Sequence, residues 1–207
     1  MPHAILIGGS SGIGKSTVAQ ALSIKHGITH VIETDYLREV LRAIISQEHS
    51  PILHKDSYNS FEVLEEYGVS TEELPLEELV RIGYLWHVSP IISLVKRVVQ
   101  RAYMDRDDIV IEGVHLCPGA LDLSEFKGKM DVKFFILNVD EEMHHQRFLM
   151  RAKHKERDTE KHLRYFRHIR IIQEFLLERA ERYDVPIIPN YNIDEVIAKV
   201  EEAFQSE

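Results

Sequence analysis

HAILIGGSSGIGKSTVAQAL, residues 3–22, decides the fold. HAILIG (residues 3–8) is a short apolar run ending in glycines, the profile of a buried parallel strand. STVAQALSIKHG then reads as a helix, stopped by Gly27 near its C-cap. Between them Gly9-Ser10-Ser11-Gly12-Ile13-Gly14-Lys15-Ser16 fits G-x-x-x-x-G-K-[ST] in the strand–loop–helix context that this motif requires. Its glycines permit backbone angles closed to other residues, so successive N–H groups can converge on phosphate oxygens. The helix dipole adds its positive end there. Lys15 is expected to reach the β- and γ-phosphates, and the Ser16 hydroxyl to ligate Mg²⁺, with Thr17 completing the cradle. The expected nucleotide is ATP with Mg²⁺.

Outward from the cradle, strands and helices alternate. HVIETD (30–35) is a second strand, followed by the helical stretch YLREVLRAIIS. The pattern weakens over residues 47–79, an acidic stretch expected to be a helical insertion with a capping box between Ser70 and Glu73. Ser89-Pro90 is expected to open a helix in which Ile91, Leu94, Val95, Val98, Val99 and Ala102 recur at helical spacing. DIVIEGVH (108–115), VKFFILNV (132–139) and VPIIPN (185–190) read as strands three to five. A basic helical region begins at Glu141, with a break near 155–158. An amphipathic helix marked by Leu163, Phe166, Ile169, Ile172, Phe175 and Leu176 follows, and IDEVIAKVEEAF closes the chain. This order predicts right-handed crossovers and a three-layer α/β P-loop NTPase fold. A five-stranded parallel sheet would carry helices on both faces, and residues 147–162 would form a helical lid. All 207 residues are expected to form one kinase domain.

Composition narrows the function. Cys117 is the only cysteine, so no intramolecular disulfide forms and a reducing compartment is expected, with Cys117 as a packed small residue. No apolar run approaches bilayer length, and the chain reads directly into a strand with no leader, so the expectation is a cytoplasmic protein without membrane partners. The net charge of -9 argues against a nucleic-acid partner. Residues 144–170 nevertheless hold nine Lys/Arg against Glu156, Asp158 and Glu160, a local +6 on a chain whose remainder carries -15. Such a patch suits a small anionic substrate better than a polymer.

Ligands of open parallel sheets bind beyond the carboxyl ends of the strands. The residues there include Asp35, Glu112, His115, Asp140, Asn190 and Asn192. Asp35, Arg38 and Arg42 share one helix face near the cradle. The carboxylate can take a hydroxyl proton while the guanidinium groups clamp an anionic acceptor. Alternatively the arginines are solvated helix charges paired with Glu39. Glu112 ends the apolar run IVI like a Walker B acid; it could hold Mg²⁺ through water or orient Lys15 or an acceptor hydroxyl, or be an ordinary strand-end carboxylate. His115 could donate to an acceptor oxygen or be structural. Arg147, Arg151 and Arg157 would neutralise the moving phosphoryl from the lid, unless they line a solvated basic face. His144-His145 reads as a surface pair, and Asn190 lies where a base should sit.

With these parts in place the chain resembles the nucleoside-monophosphate-kinase-like P-loop kinases, and within them the archaeal 2-phosphoglycerate kinase family. The residues that carry this are GGSSGIGKST (8–17), VIETDYLREVLR (31–42), VIEGVHLCPG (110–119), RFLMRA (147–152), IRIIQEFLLERA (169–180) and VPIIPNYNIDEVI (185–197). The resemblance implies transfer of the ATP γ-phosphate to the 3-hydroxyl of 2-phosphoglycerate, giving 2,3-bisphosphoglycerate and ADP. It implies that Arg38 and Arg42 hold the acceptor's anions and that Asp35 lies near the attacking hydroxyl. Longer family members carry an N-terminal regulatory domain resembling an ATP-cone. This chain starts just before its first strand, so control by that route is not expected. The rival readings are a kinase for another anionic metabolite or a nucleoside monophosphate, and an ATP-binding regulatory module without catalysis.

Overall fold

The computed structural model describes residues 1–153 and 159–205. Strands β1 (His3–Gly8), β2 (His30–Glu33), β3 (Ile109–Gly113), β4 (Asp131–Asn138) and β5 (Ile187–Pro189) form one sheet in the order β2-β3-β1-β4-β5. Every pairing is parallel, in the register Ile7–Glu112 and Ile7–Phe135 across the centre. Parallel neighbours need crossovers, and these supply the outer layers. Helices α1 (Lys15–His26), α2 (Thr34–Ile44), α3 (Leu76–Asp105), α4 (Glu141–Lys153), α5 (Thr159–Arg164), α6 (Phe166–Arg182) and α7 (Ile193–Gln205) complete the fold.

The period-2 alternation of the strands sorts the core onto two faces. Ile5 and Ile7, with Val110, Phe135 and Leu137, pack on Val18, Ala19 and Leu22 of α1 and Val196 and Val200 of α7. Ala4, Leu6, Ile109 and Ile111 face Val95, Val99 and Ala102 of α3 on the other side. Tyr84 and Val88 of α3 meet Ile136 and Ile169, Ile172 and Leu176 of α6. Each Val, Leu, Ile or Phe among them contributes about 1.5–3 kcal/mol of burial.

Two local expectations are corrected. Helix α3 begins at Leu76, not at Ser89-Pro90, and runs for 30 residues through Pro90. A proline inside a helix costs about 3 kcal/mol. The stripe of Val80, Tyr84, Val88, Ile91, Val95 and Val99 is buried on both sides of it and outweighs that cost. No Ser70–Glu73 capping box forms; the N-cap is Pro75, with no side-chain cap. The stretch before α3 holds two 3-10 helices, Pro51–His54 and Ser60–Tyr67. The second lies directly on the α3 backbone: a Cβ on Gly83 would stand 2.5 Å from the Phe61 nitrogen. The first is held by side chains from elsewhere. Arg42 donates to the carbonyls of Leu53 (2.9 Å) and Lys55 (2.7 Å), and His87 Nδ1 lies 3.0 Å from the Ile52 carbonyl. Side chains donated from distant positions leave no periodic trace in a sequence.

Buried histidines join these layers. His87 and His115 are fully buried and stacked, with their Nε2 atoms 3.2 Å apart, and His115 Nδ1 lies 2.7 Å from the buried Thr34 hydroxyl. Burial, reinforced by the Arg38 and Arg42 charges, holds His87 at about 4 and His115 well below the ordinary imidazole value. An unfolded chain takes up protons on these rings below about 6.5, while native His87 refuses them until about 4 and native His115 until well below the ordinary imidazole value. Their stabilisation is therefore complete above pH 6.5 and falls as acid is added through that window. We expect the thermal midpoint to drop between pH 7 and pH 5 by the equivalent of about 1–2 kcal/mol per histidine. His87→Gln should flatten that slope; an unchanged slope in a pH series of thermal melts would refute the assignment.

Candidate active site

The cradle lies between the end of β1 and the start of α1, and neighbours from three elements fix its shape. Gln173 of α6 accepts from the Ser10 N–H through Oε1 (2.9 Å) and donates from Nε2 to the Leu137 carbonyl (2.9 Å). His144 of α4 is fully buried, with Nε2 2.7 Å from the Ser11 carbonyl. Burial holds this ring near 4, so it sits neutral. Gly12 (φ +87°) allows the Phe148 ring to approach, since a Cβ there would meet that ring at 2.6 Å. Asn190 Nδ2 (2.8 Å) and Arg147 Nη1 (2.5 Å) donate to the Ile13 carbonyl, and Arg147 Nη2 donates to the Asn190 carbonyl.

Lys15 is 9% exposed and donates to the Ser10 carbonyl at 2.9 Å. Burial pushes its ammonium down, against the pull of Glu112 and Asp35. The Ser16 hydroxyl donates to Glu112 Oε1 at 2.6 Å. Burial pushes the Glu112 carboxyl up, Lys15 and Ser16 pull it down, and Glu33 and Asp35 push it up again. These oxygens suit a hard divalent cation, and a carboxylate already bonded to the P-loop hydroxyl is where Mg²⁺ beside a phosphate would be held. Among the described residues, no three His, Cys, Asp or Glu side chains converge on one metal point. A cation here would therefore rely on hydroxyl, water and phosphate oxygens as well.

Two cavities meet at the cradle. The inner one, of about 290 Å³, is lined by Ser11, Gly12, Gly14, Lys15 and Ser16, then by Glu33, Asp35, Arg38, Asp56, Ser57, Tyr58 and Glu112, and by Phe148, Arg151, Lys161 and His162. The outer one, of about 390 Å³, is lined by Thr17, Val18, Arg147, Met150, Asn190, Tyr191 and Ile193. Gly12, Gly14 and Arg151 belong to both. A polyphosphate lying over the cradle would thus have its base on the outer side and its terminal group in the inner cleft.

The fold brings Lys15, Ser16, Asp35, Arg38, Glu112 and Arg151 into that cleft. Three expected residues go elsewhere. Arg42 points its guanidinium at backbone carbonyls and Glu39 and does not line the cleft. His115 is sealed behind it, bonded to Thr34 and His87. Arg147 lines only the outer cavity and not the inner cleft. Arg157 lies outside the described residues. Asn190 faces the outer cavity, while Asn192 and Asp140 serve as caps, accepting from the Asp194 and Met143 N–H groups. The reading of His144-His145 as a surface pair is half wrong: His145 is exposed and His144 is under the cradle. Asp56, Tyr58 and Lys161 also line the cleft, and nothing in their local sequence sets them apart. Gln173 had a signal, a lone amide in the apolar stripe between Ile169 and Leu176.

No family model matches the chain. Among solved structures the fold is similar to a gluconokinase from Sinorhizobium meliloti (TM-score 0.52, 17% identity, covering 100% of this chain and 98% of that one). It is also similar to a shikimate kinase from Acinetobacter baumannii in complex with shikimate (TM-score 0.55, 14% identity, 100% and 94% covered). At those identities the likeness shows the α/β P-loop fold alone. Among curated proteins the chain is 37% identical over 202 residues to a protein named 2-phosphoglycerate kinase from Methanopyrus kandleri, covering 96% of this chain and 59% of that one. Proteins of the same name from Methanocaldococcus jannaschii (34% over 199 residues; 96% and 62% covered) and Pyrococcus horikoshii (31% over 202 residues; 98% and 64% covered) are similar too. Nearly all of this chain is thus similar to archaeal proteins named 2-phosphoglycerate kinase, and it spans 59% to 64% of their length.

Proposed function

We propose that the protein is an ATP-dependent small-molecule kinase, forming one domain. It would phosphorylate the 3-hydroxyl of 2-phosphoglycerate to give 2,3-bisphosphoglycerate and ADP. The observation that carries this reading is the pair of cavities sharing one phosphate cradle, with a carboxylate and basic side chains at the far end of the inner one. A binding module would have no use for the carboxylate and basic side chains beyond the terminal phosphate. The similarity to archaeal relatives of that name supports the choice of acceptor.

The backbone from Gly9 to Gly14 and the start of α1 would hold the phosphates, with Lys15 on the terminal oxygens. Ser16 and Glu112 would hold Mg²⁺, which when bound offsets charge on the phosphate oxygens. Asp35, beside Lys15 and half-exposed in the cleft, would orient the acceptor hydroxyl and take its proton. Arg38 would hold an anionic group of the acceptor, and Arg151, at the join of the two cavities, would meet charge on the moving phosphoryl. Arg42, by fixing Leu53 and Lys55, would set the wall from which Asp56 and Tyr58 project. Arg147 and Asn190 would shape the base side. Among the described residues no helix is long and apolar enough to cross a membrane. A cytoplasmic reaction is in keeping with this and with a single buried, free thiol at Cys117.

Measured ADP release with 2-phosphoglycerate, other phosphorylated hydroxy acids and nucleoside monophosphates tests the reading. Turnover restricted to a nucleoside monophosphate would replace the acceptor, and ADP release indifferent to every acceptor would remove the kinase. Lys15→Met should lower kcat/KM by about a hundredfold to a thousandfold, the scale of losing one charged donor to the transition state. Arg38→Gln and Arg147→Gln should divide the two substrates. The first should raise the acceptor KM about tenfold and the second the ATP KM by a similar factor, and the reverse pattern in steady-state kinetics would overturn the geometry assigned to them.

A further inference from the structure

Asp56 sits where an anionic ligand of the inner cleft would be expected to sit. Its Oδ2 accepts from Lys161 Nζ of α5 at 2.5 Å and from the Tyr58 hydroxyl at 3.0 Å. Its Oδ1 lies 3.5 Å from Arg38 Nη1 of α2. Two cations and a phenol, brought from three separate segments, thus converge on one carboxylate that is itself part of the cleft lining. Burial works against its charge, but Lys161 and Arg38 outweigh burial and hold the carboxyl below its usual range, so it is ionised at neutral pH.

The charge of the cleft sharpens the point. Its lining holds four basic side chains, Lys15, Arg38, Arg151 and Lys161, against four carboxylates, Glu33, Asp35, Asp56 and Glu112. Arg38 alone meets Asp35 (3.3 Å), Glu39 (3.2 Å) and Asp56 (3.5 Å). A cleft with balanced charge has little attraction left for a multiply charged acceptor beside a polyphosphate. Glu112 is tied to Ser16, and Asp35 faces Lys15 and the cradle. Asp35 also meets Arg38, and Asp56 is set apart as the carboxylate that meets both Arg38 and Lys161.

We infer that Asp56 is a resident counter-ion that an anionic group of the acceptor, a carboxylate or a phosphate, displaces from Lys161 and Arg38. This deepens the kinase reading and rests on it for the identity of the acceptor, though not for the exchange itself. The carboxylate keeps the two cations gathered and facing one point while the cleft is empty, which lowers the ordering cost of binding. It also sets a threshold: a neutral alcohol cannot dislodge it, so the exchange selects for acidic acceptors. The opposite role, in which Asp56 holds the acceptor hydroxyl, would reverse the effect of removing its charge.

That difference in sign is the test. The full chain is first saturated with Mg²⁺ and a non-hydrolysable ATP analogue, so that the cradle is filled, and inorganic phosphate is then titrated by calorimetry. Asp56→Asn keeps the shape and the backbone N–H that donates to Asn59 Oδ1, and should tighten phosphate about fivefold. Lys161→Gln should weaken it by a similar factor. Weaker or unchanged binding in Asp56→Asn overturns the inference, and so does unchanged binding in Lys161→Gln. Because neither readout needs turnover, failure of 2-phosphoglycerate as an acceptor would remove the proposed reaction and leave the exchange to stand or fall by the titrations. With a working acceptor, Asp56→Asn should also lower its KM, and a raised KM would count against the exchange.

Discussion

The bond from Ser16 to Glu112 ties the first turn of α1 to the end of β3, and most of the site depends on it. Glu112 is 4% exposed and Lys15 9%, and the charge of each works against the cost of burying the other. Removing either would strand its partner in a poorly solvated site. Glu33, at the end of the neighbouring β2, and Asp35, in the first turn of α2, line the same cleft. Sheet order has the same effect on a larger scale. With β1 between β3 and β4, the cradle is flanked on one side by the Glu112 strand end and on the other by the start of α4.

Much of this was legible in the chain, and the reason is locality. The cradle is one continuous motif, each parallel strand is an apolar run, and Asp35, Glu112 and Asn190 are strand-end residues that the topology rule finds without coordinates. Asp35 and Arg38 share a helix face because they are three residues apart. What failed was non-local. Arg42 occupies the same helix face, yet its donors reach two carbonyls of a 3-10 turn that its own neighbourhood does not announce. His115 reads as either a donor to the acceptor or a structural residue, and the sequence does not reveal that His87 arrives from α3 to close it in. Pro90 read as a helix start, as prolines often do, and packing on both sides overrode the local preference.

The proposed acceptor end is the least legible part for the same reason. It is assembled from Arg38 on α2 and Asp56 and Tyr58 between two 3-10 helices, all in the long β2–β3 connection, and from Lys161 on α5 in the β4–β5 connection. No periodic pattern links them. The phosphate cradle is built from one chain segment and reads as a motif, whereas the proposed acceptor end is built from several. Relatives can therefore keep the first while varying the second.

The file of groups running from Thr34 through His115 and His87 to Ile52 has one further property. The Ile52 carbonyl can only accept, so His87 must carry its proton on Nδ1 and present a lone pair at Nε2. His115 must then donate from Nε2, which leaves its Nδ1 to accept from the Thr34 hydroxyl. Every proton in the file is assigned, and all four groups are oriented one way. The two rings thus act as a pair of complementary tautomers, and the file has a polarity running from the start of α2 to the first 3-10 helix. A replacement ring or amide would have to reproduce that order of donor and acceptor, not merely fill the space.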